Sequence, residues 1–154
     1  MSNGLRKYFA NVSAYLKNQN KEYIMFSHIM VGTNDLDRAQ AFYDGVLAVL
    51  GAPKGIRTTN ATGQQRVFYS HNGTRFGITQ PINGQPATVA NGSTIGFSCE
   101  SVKQAQQFYD TALALGATAI EDPPGIRQTS IGPAYLAYLR DLDGHKICVF
   151  GKVE

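Results

Sequence analysis

Residues 28–52 recur at residues 94–117, and this internal duplication confines the chain to folds built from two copies of one unit. With His28 set against Thr94, an offset of 66, His28-Ile29-Met30-Val31 falls on Thr94-Ile95-Gly96-Phe97. The same offset places Ala39-Gln40-Ala41-Phe42-Tyr43-Asp44 on Ala105-Gln106-Gln107-Phe108-Tyr109-Asp110, with five of the six identical. One gap later Leu50-Gly51-Ala52 meets Leu115-Gly116-Ala117. A chain of 154 residues has room for two such halves fused around a shared core, and not for several independent domains.

Each copy opens on a strand-like run, crosses a polar turn and enters a helix. Asn34 or Asp35 is placed to cap the first helix and Ser101 the second, while Gly51 and Gly116 follow the helix ends. Ala39, Phe42, Tyr43, Val46 and Leu47 form one apolar stripe; Ala105, Phe108, Tyr109, Ala112 and Leu113 form another. Such stripes must lie on a sheet. Its remaining strands read as Arg66 to His71 and Arg75 to Gln80 around Asn72-Gly73, then Ala134 to Arg140 and Lys146 to Phe150 around Asp143-Gly144. The predicted class is α+β: two tandem βαβββ modules, about 25–90 and 91–154, within one domain of residues 25–154. Strand alternation sends Ile95, Phe97 and Cys99 toward the helix and leaves Thr94, Gly96 and Ser98 on the other face. By the repeat, His28, Met30 and Gly32 share that other face. On the last strand Ile147 and Val149 are core, so Lys146 and Cys148 point away from it.

Residues 1–24 read as an addition, an N-terminal amphipathic helix with Leu5, Tyr8, Phe9, Val12, Tyr15 and Leu16 at three-and-four spacing. It is expected to pack on the body or on a second subunit; a membrane-surface or targeting helix and an unstructured leader are the alternatives. The first 21 residues hold Arg6, Lys7, Lys17 and Lys21 with no acid, so the net charge of +3 sits entirely there. The body is close to neutral, which argues against nucleic-acid binding. Hydrophobic residues at 43% and charged residues at 16% imply a folded core. No apolar run approaches the ~20 residues of a transmembrane segment, and no secretory signal is evident, so the expected location is cytoplasmic. Cys99 and Cys148 have no disulfide or zinc-finger spacing and are expected to be reduced thiols. Nucleophile-elbow, phosphate-loop and dinucleotide motifs are absent from the sequence. His71 and His145 fall at turns, where an exposed polar residue needs no function, and the spacing of Asp141 and Asp143 lacks the later ligands of a calcium loop.

Phe26-Ser27-His28-Ile29-Met30-Val31, then Asp35-Leu36-Asp37-Arg38-Ala39 and Phe42-Tyr43, and finally Leu139-Arg140-Asp141-Leu142-Asp143-Gly144-His145-Lys146-Ile147 resemble the vicinal oxygen chelate superfamily of glyoxalase I, bleomycin-resistance proteins and extradiol dioxygenases. The segment from Ile78-Thr79-Gln80-Pro81 to Thr88 is similar to a bacterial glyoxalase-like subgroup. The resemblance implies a curved mixed sheet around a cleft, usually completed in a homodimer, with a divalent metal held by cleft-facing strands. Of the metal positions that it implies, His28 is retained. Thr94 stands where a second histidine is common, and Cys148 where a glutamate is usual. Gly77, the internal counterpart of Cys148, has no side chain to coordinate. Two ligands fall short of the three that a catalytic site generally needs, so no metal and no other cofactor is expected, with a divalent metal as the alternative.

The function expected first is that of a metal-free small-molecule-binding protein of the glyoxalase/bleomycin-resistance type. Its contacts are expected among His28, Met30, Thr94 and Ser98 on the first strands and Tyr138, Arg140 and Cys148 on the last, Arg140 offering a positive fork to an acidic group. A metal-dependent lyase, isomerase or dioxygenase is the enzyme alternative. The catalytic candidates are His28 and Cys148, with Cys148 either a nucleophile that His28 serves as base or an inert small apolar filler. The third expectation is an interaction protein that works through the N-terminal helix.

Overall fold

The computed structural model describes residues 26–130 and 132–153. The expected helix over residues 1–24 lies outside them. The first module runs β1 (Ile29–Gly32), α1 (Leu36–Ala48), β2 (Ile56–Thr59), β3 (Gln65–His71) and β4 (Thr74–Thr79). The second runs β5 (Ile95–Cys99), α2 (Val102–Ala114), β6 (Thr118–Thr129), β7 (Gly132–Arg140) and β8 (Lys146–Lys152). Each module makes a mixed four-stranded sheet, in the orders β1-β4-β3-β2 and β5-β8-β7-β6. The opening strand of each lies parallel to the last one, and the other neighbours are antiparallel.

Both helices start and stop as the sequence dictates. The carboxylate of Asp35 accepts from the Arg38 amide and the Ser101 hydroxyl from the Gln104 amide, each satisfying a donor that has no partner within its helix. Gly51 and Gly116 follow with φ of +83° and +100°, a left-handed conformation that a Cβ penalises, so each chain leaves its helix there. Between β3 and β4, Asn72 and Gly73 both take positive φ, as a tight hairpin turn requires.

The register reproduces the duplication. Ile29 pairs with Phe76 and Met30 with Gly77, while Ile95 pairs with Ile147 and Gly96 with Cys148. The offset of the repeat is therefore the offset of the strands. Phe68 opposite Gly77 likewise corresponds to Tyr138 opposite Cys148. Phe42, Tyr43 and Val46 of α1 and Phe108 and Ala112 of α2 are buried against Val67, Ile78, Leu139, Ile147 and Val149, the helix-facing residues of the two sheets. Burial of this kind contributes roughly 25 cal/mol per Å2 of apolar surface.

Two devices join the modules. A series of rings crosses the junction, with Tyr43 and Phe76 at 4.8 Å, Phe76 and Phe97 at 5.4 Å, and Phe97 and Phe108 at 5.6 Å between centroids. The second is the β7–β8 turn, and here the structure corrects an expectation: His145 is buried, not exposed. Its Nε2 donates to the Gly32 carbonyl at 2.7 Å, which assigns the ring proton because a carbonyl can only accept. Asp141, also buried, accepts from the Asp143 and His145 amides and from the Tyr43 hydroxyl at 2.6 Å. Asp143 in turn accepts from the Thr33 hydroxyl and the Asn34 amide at the β1–α1 corner. A turn chosen for its polarity is thus an internal clasp, because the other module covers it.

Among the described residues, no helix is long and apolar enough to cross a membrane.

The clasp sets the first expected outcome. Asp141→Ala leaves two buried donors and one part-buried donor without their acceptor and is expected to cost about 2–4 kcal/mol, measured by urea unfolding with an unchanged m-value. A loss below about 1 kcal/mol would show that the modules are held by ring packing alone.

Candidate functional site

Because strand side chains alternate, each sheet has a face away from its helix, and those open faces hold the sequence-selected residues. In the first module Met30 lies beside Gly77 and Phe68: a Cβ on Gly77 would come within 3.1 Å of both side chains. His28, just ahead of β1, stands edge-on to Phe68 at 6.4 Å between ring centroids. Its Nδ1 is 3.0 Å from the Ser27 hydroxyl, and the ring is exposed. Arg66 and Arg75 bring their guanidinium carbons to 5.3 and 5.8 Å from the centre of the same Phe68 ring.

In the second module Ser98, Tyr138 and Cys148 share the open face with Leu136 and Phe150. Ala134, Leu136 and Cys148 form a small buried cluster, with Tyr138 and Phe150 packed on it, separate from the main core. The Lys146 ammonium stands 4.7 Å, and the Arg127 guanidinium 5.5 Å, from the Tyr138 ring centre. Lys146 also pairs with Glu121, and Arg127 donates to the carbonyls of Asp122 and Pro123 at 2.9 and 3.1 Å.

Thr94 is exposed immediately before β5. Arg140, selected as a fork for an acidic group, is exposed and donates from Nη1 to the Gly144 carbonyl at 2.7 Å, so part of its donor set serves its own turn.

Cys148 has a position but not an activated thiol. Burial pushes its pKa up, against the smaller opposing effects of the Tyr138 hydroxyl, Lys146 and Arg127. Burial also raises Tyr138, with the adjoining Cys148 second. No hydrogen bond connects Cys148 to His28, whose partner is Ser27. Cys99 is a core thiol raised by burial to about 11. A thiol held protonated at neutral pH is a poor nucleophile.

The donors at the metal positions implied by the resemblance are an imidazole at His28, a neutral hydroxyl at Thr94, a thiol at Cys148 and no side chain at Gly77, which leaves at most two ligands of the usual kinds. This set does not fit a catalytic divalent ion, which takes three ligands of imidazole, carboxylate or thiolate type. Among the described residues no three His, Cys, Asp or Glu side chains are grouped to hold one.

A groove of about 490 Å3 lies between the modules, lined largely by apolar side chains that include Phe26, Ile29, Leu50, Phe76 and Phe97. Of the sequence-selected residues only Ser98 reaches it. Sequence reasoning also left out Phe68, Arg66, Arg75, Arg127 and Leu136. Their strand parity was the available signal, since Phe68 is the repeat partner of Tyr138.

Paired βαβββ modules with polar and aromatic side chains on their open faces define a glyoxalase-like protein. The chain belongs to the Glyoxalase/Bleomycin resistance protein/Dioxygenase superfamily, whose family model matches residues 25–149. Its similarity to a crystal structure of a glyoxalase/bleomycin resistance protein from Albidiferax ferrireducens T118 is 49% in sequence, covering 84% of this chain and all of that one, with a TM-score of 0.76. A putative glyoxalase from Bacillus halodurans is 17% identical over 84% of this chain and 97% of its own, with a TM-score of 0.61. The fosfomycin resistance protein FosX from Listeria monocytogenes is also 17% identical, over 83% of this chain and 93% of its own, with a TM-score of 0.60. These last two share the fold. No curated protein matches the chain.

Restoring the missing donors tests the ligand positions. Thr94→His with Cys148→Glu is expected to bind Zn2+ at least about 100-fold more tightly than the parent in calorimetric titration of the assembled protein. Equal binding by a folded double variant and its parent would mean that these positions do not converge.

Proposed function

We propose that this chain is a small-molecule-binding protein of the glyoxalase/bleomycin-resistance type that works without a catalytic metal and as a homodimer. The observation that carries the reading is the apolar cluster of Ala134, Leu136 and Cys148 on the helix-free face of the second sheet, extended by Tyr138 and Phe150. An apolar floor outside the main core, edged by Lys146 and Arg127, has the composition of a ligand site: mostly apolar lining with a few polar groups to orient the guest. The poor donor set supports the metal-free part of the reading, and the protonated thiol of Cys148 supports binding over covalent catalysis. Membership of the superfamily supports a cleft completed by a second subunit.

Ligand-observed NMR with a fragment library on the intact protein is the test. Fragments are expected to bind the parent and to be lost in Leu136→Lys, which places a charge on the floor while leaving the helix-side core untouched. Failure of every fragment to bind, with tight binding of a protein instead, would overturn the reading.

A second reading concerns residues 1–24. Phe26, 59% exposed, lines the groove between the modules, so the described body begins beside that apolar lining. The stripe of Leu5, Tyr8, Phe9 and Val12 matches that surface in character and makes residues 1–24 an interaction element, on its own subunit or its partner. Light scattering of the full chain and of a chain starting at Met25 separates the two. A dimer lost on truncation assigns the interface to the segment, and an unchanged dimer with unchanged thermal stability removes its role.

A further inference from the structure

β1 and β5 stand at the outer edges of their sheets, and among the described residues no strand pairs with either on its far side. The groove between the modules runs along one of these edges. It touches five successive residues of β5, Ile95 to Cys99, although alternate residues of a strand point to opposite faces. What five such neighbours share is the backbone edge itself. The rest of the lining includes Ile29 of β1, Phe76 of β4, and Leu47 and Leu50 around the end of α1. Its charged residues, Glu100, Arg75 and Lys152, are of both signs, so apolar area rather than charge defines what fits.

An unpaired strand edge beside apolar side chains is a surface that proteins cover, commonly with a helix or a loop, because a bare edge pairs with other chains. The chain holds a cover of suitable kind. Residues 1–25 lie outside the described residues, and the described body begins at Phe26, itself part of the groove lining. Leu5, Tyr8, Phe9, Val12, Tyr15 and Leu16 fall on one face of a helix, with Arg6 and Lys7 off it. A helix from Leu5 to Leu16 measures about 18 Å. The connection from Lys17 to Met25 opens on a polar run, Lys17-Asn18-Gln19-Asn20-Lys21-Glu22, and spans up to about 30 Å, enough to return that helix past Phe26 to the groove.

We propose that residues 5–16 cover the groove of their own subunit, as an amphipathic helix whose apolar stripe packs against Ile29, Phe76, Ile95 and Phe97 and shields the edge of β5. This rests on the reading that residues 1–24 are an interaction element, and commits that element to one place and one subunit. The point of attachment favours the same subunit. A tether that ends in the groove wall holds the stripe near that groove at a high local concentration, whatever the concentration of the protein. The surfaces are then divided by role: the groove is filled by the chain itself, and the open faces remain available to a small molecule.

Amide hydrogen exchange of the full-length protein and of its Phe9→Asp/Val12→Asp double variant is the test, since the variant leaves every described residue unchanged. The amides of Ile95–Cys99 that point away from β8 are expected to exchange about tenfold or more faster in the variant, while those of Leu139 and Val149 in the core keep their rates. Equal exchange along β5 in the two proteins would overturn the proposal. If the variant then still loses its dimer in light scattering, residues 1–24 remain an interaction element that acts elsewhere; if nothing changes, that reading fails as well. Sedimentation of the parent but not the variant with phosphatidylserine vesicles, with β5 exchange equal in both, would make the stripe a membrane contact, also against the proposal. Ownership is read with a nitroxide on Ser13→Cys, the two native thiols being buried. The label is expected to broaden the signals of Ile29 and Ile95 when it and the isotope are on the same chain. Broadening only between different chains of a refolded mixture would seat the helix on the partner and overturn the assignment to its own subunit.

Discussion

The Asp141 carboxylate accepts three hydrogen bonds in the interior, two from its own turn and one from Tyr43 of the other module, and the relation of the two halves depends on that arrangement. A carboxylate out of water is costly unless its oxygens are satisfied, so the turn is stable in one geometry only. In that geometry Asp143 reaches Thr33 and Asn34, and His145 reaches the Gly32 carbonyl. These contacts grip the end of β1 and the start of α1, fixing where the strand that follows His28 must lie. The open face of the first module is thereby held by a turn belonging to the second.

Duplication explains the scaffold, and divergence explains the site. Both modules keep the same register, helix caps and helix-side packing, because any change there would open a cavity in a shared core. The open faces are under no such restriction. Where the first module has Gly77 beside Phe68 and unpaired arginines, the second has Cys148 beside Tyr138 and internally paired cations. One backbone thus presents two chemically different surfaces, one with uncompensated charge and the other mainly apolar.

Much of this was legible before the coordinates. Both helices, the opening strands and the two hairpins read directly from periodicity, capping residues and the Asn-Gly and Asp-Gly pairs. The edge strands did not. β2 is four residues long and fully exposed, and β6 carries Pro123, Pro124 and a break in register between Ile120 and Gly125. Edge strands tolerate proline and irregularity because one side has no ladder to complete, which removes the regular pattern that marks a strand. The facing of Met30, Ser98 and Cys148 followed from alternation. The contacts of Arg66 and Arg75 with the Phe68 ring did not, because a charged residue on a strand reads as an ordinary solvated side chain until its neighbours are known.

The sequence by itself determined the unit, its duplication and the two faces of every principal strand, since each rests on interactions between residues close in the chain or one strand pairing away. Tertiary structure alone decided which polar groups are buried and which charges go unpaired. Asp141 and His145 look like solvent-facing turn residues, and only the approach of residues more than 90 positions away makes them interior. Arg57 and Arg66 look alike in sequence, and only the packing of α1 gives one an acid and leaves the other without. Burial and charge compensation are sums over neighbours in space, and a linear order does not contain those neighbours until the chain has folded.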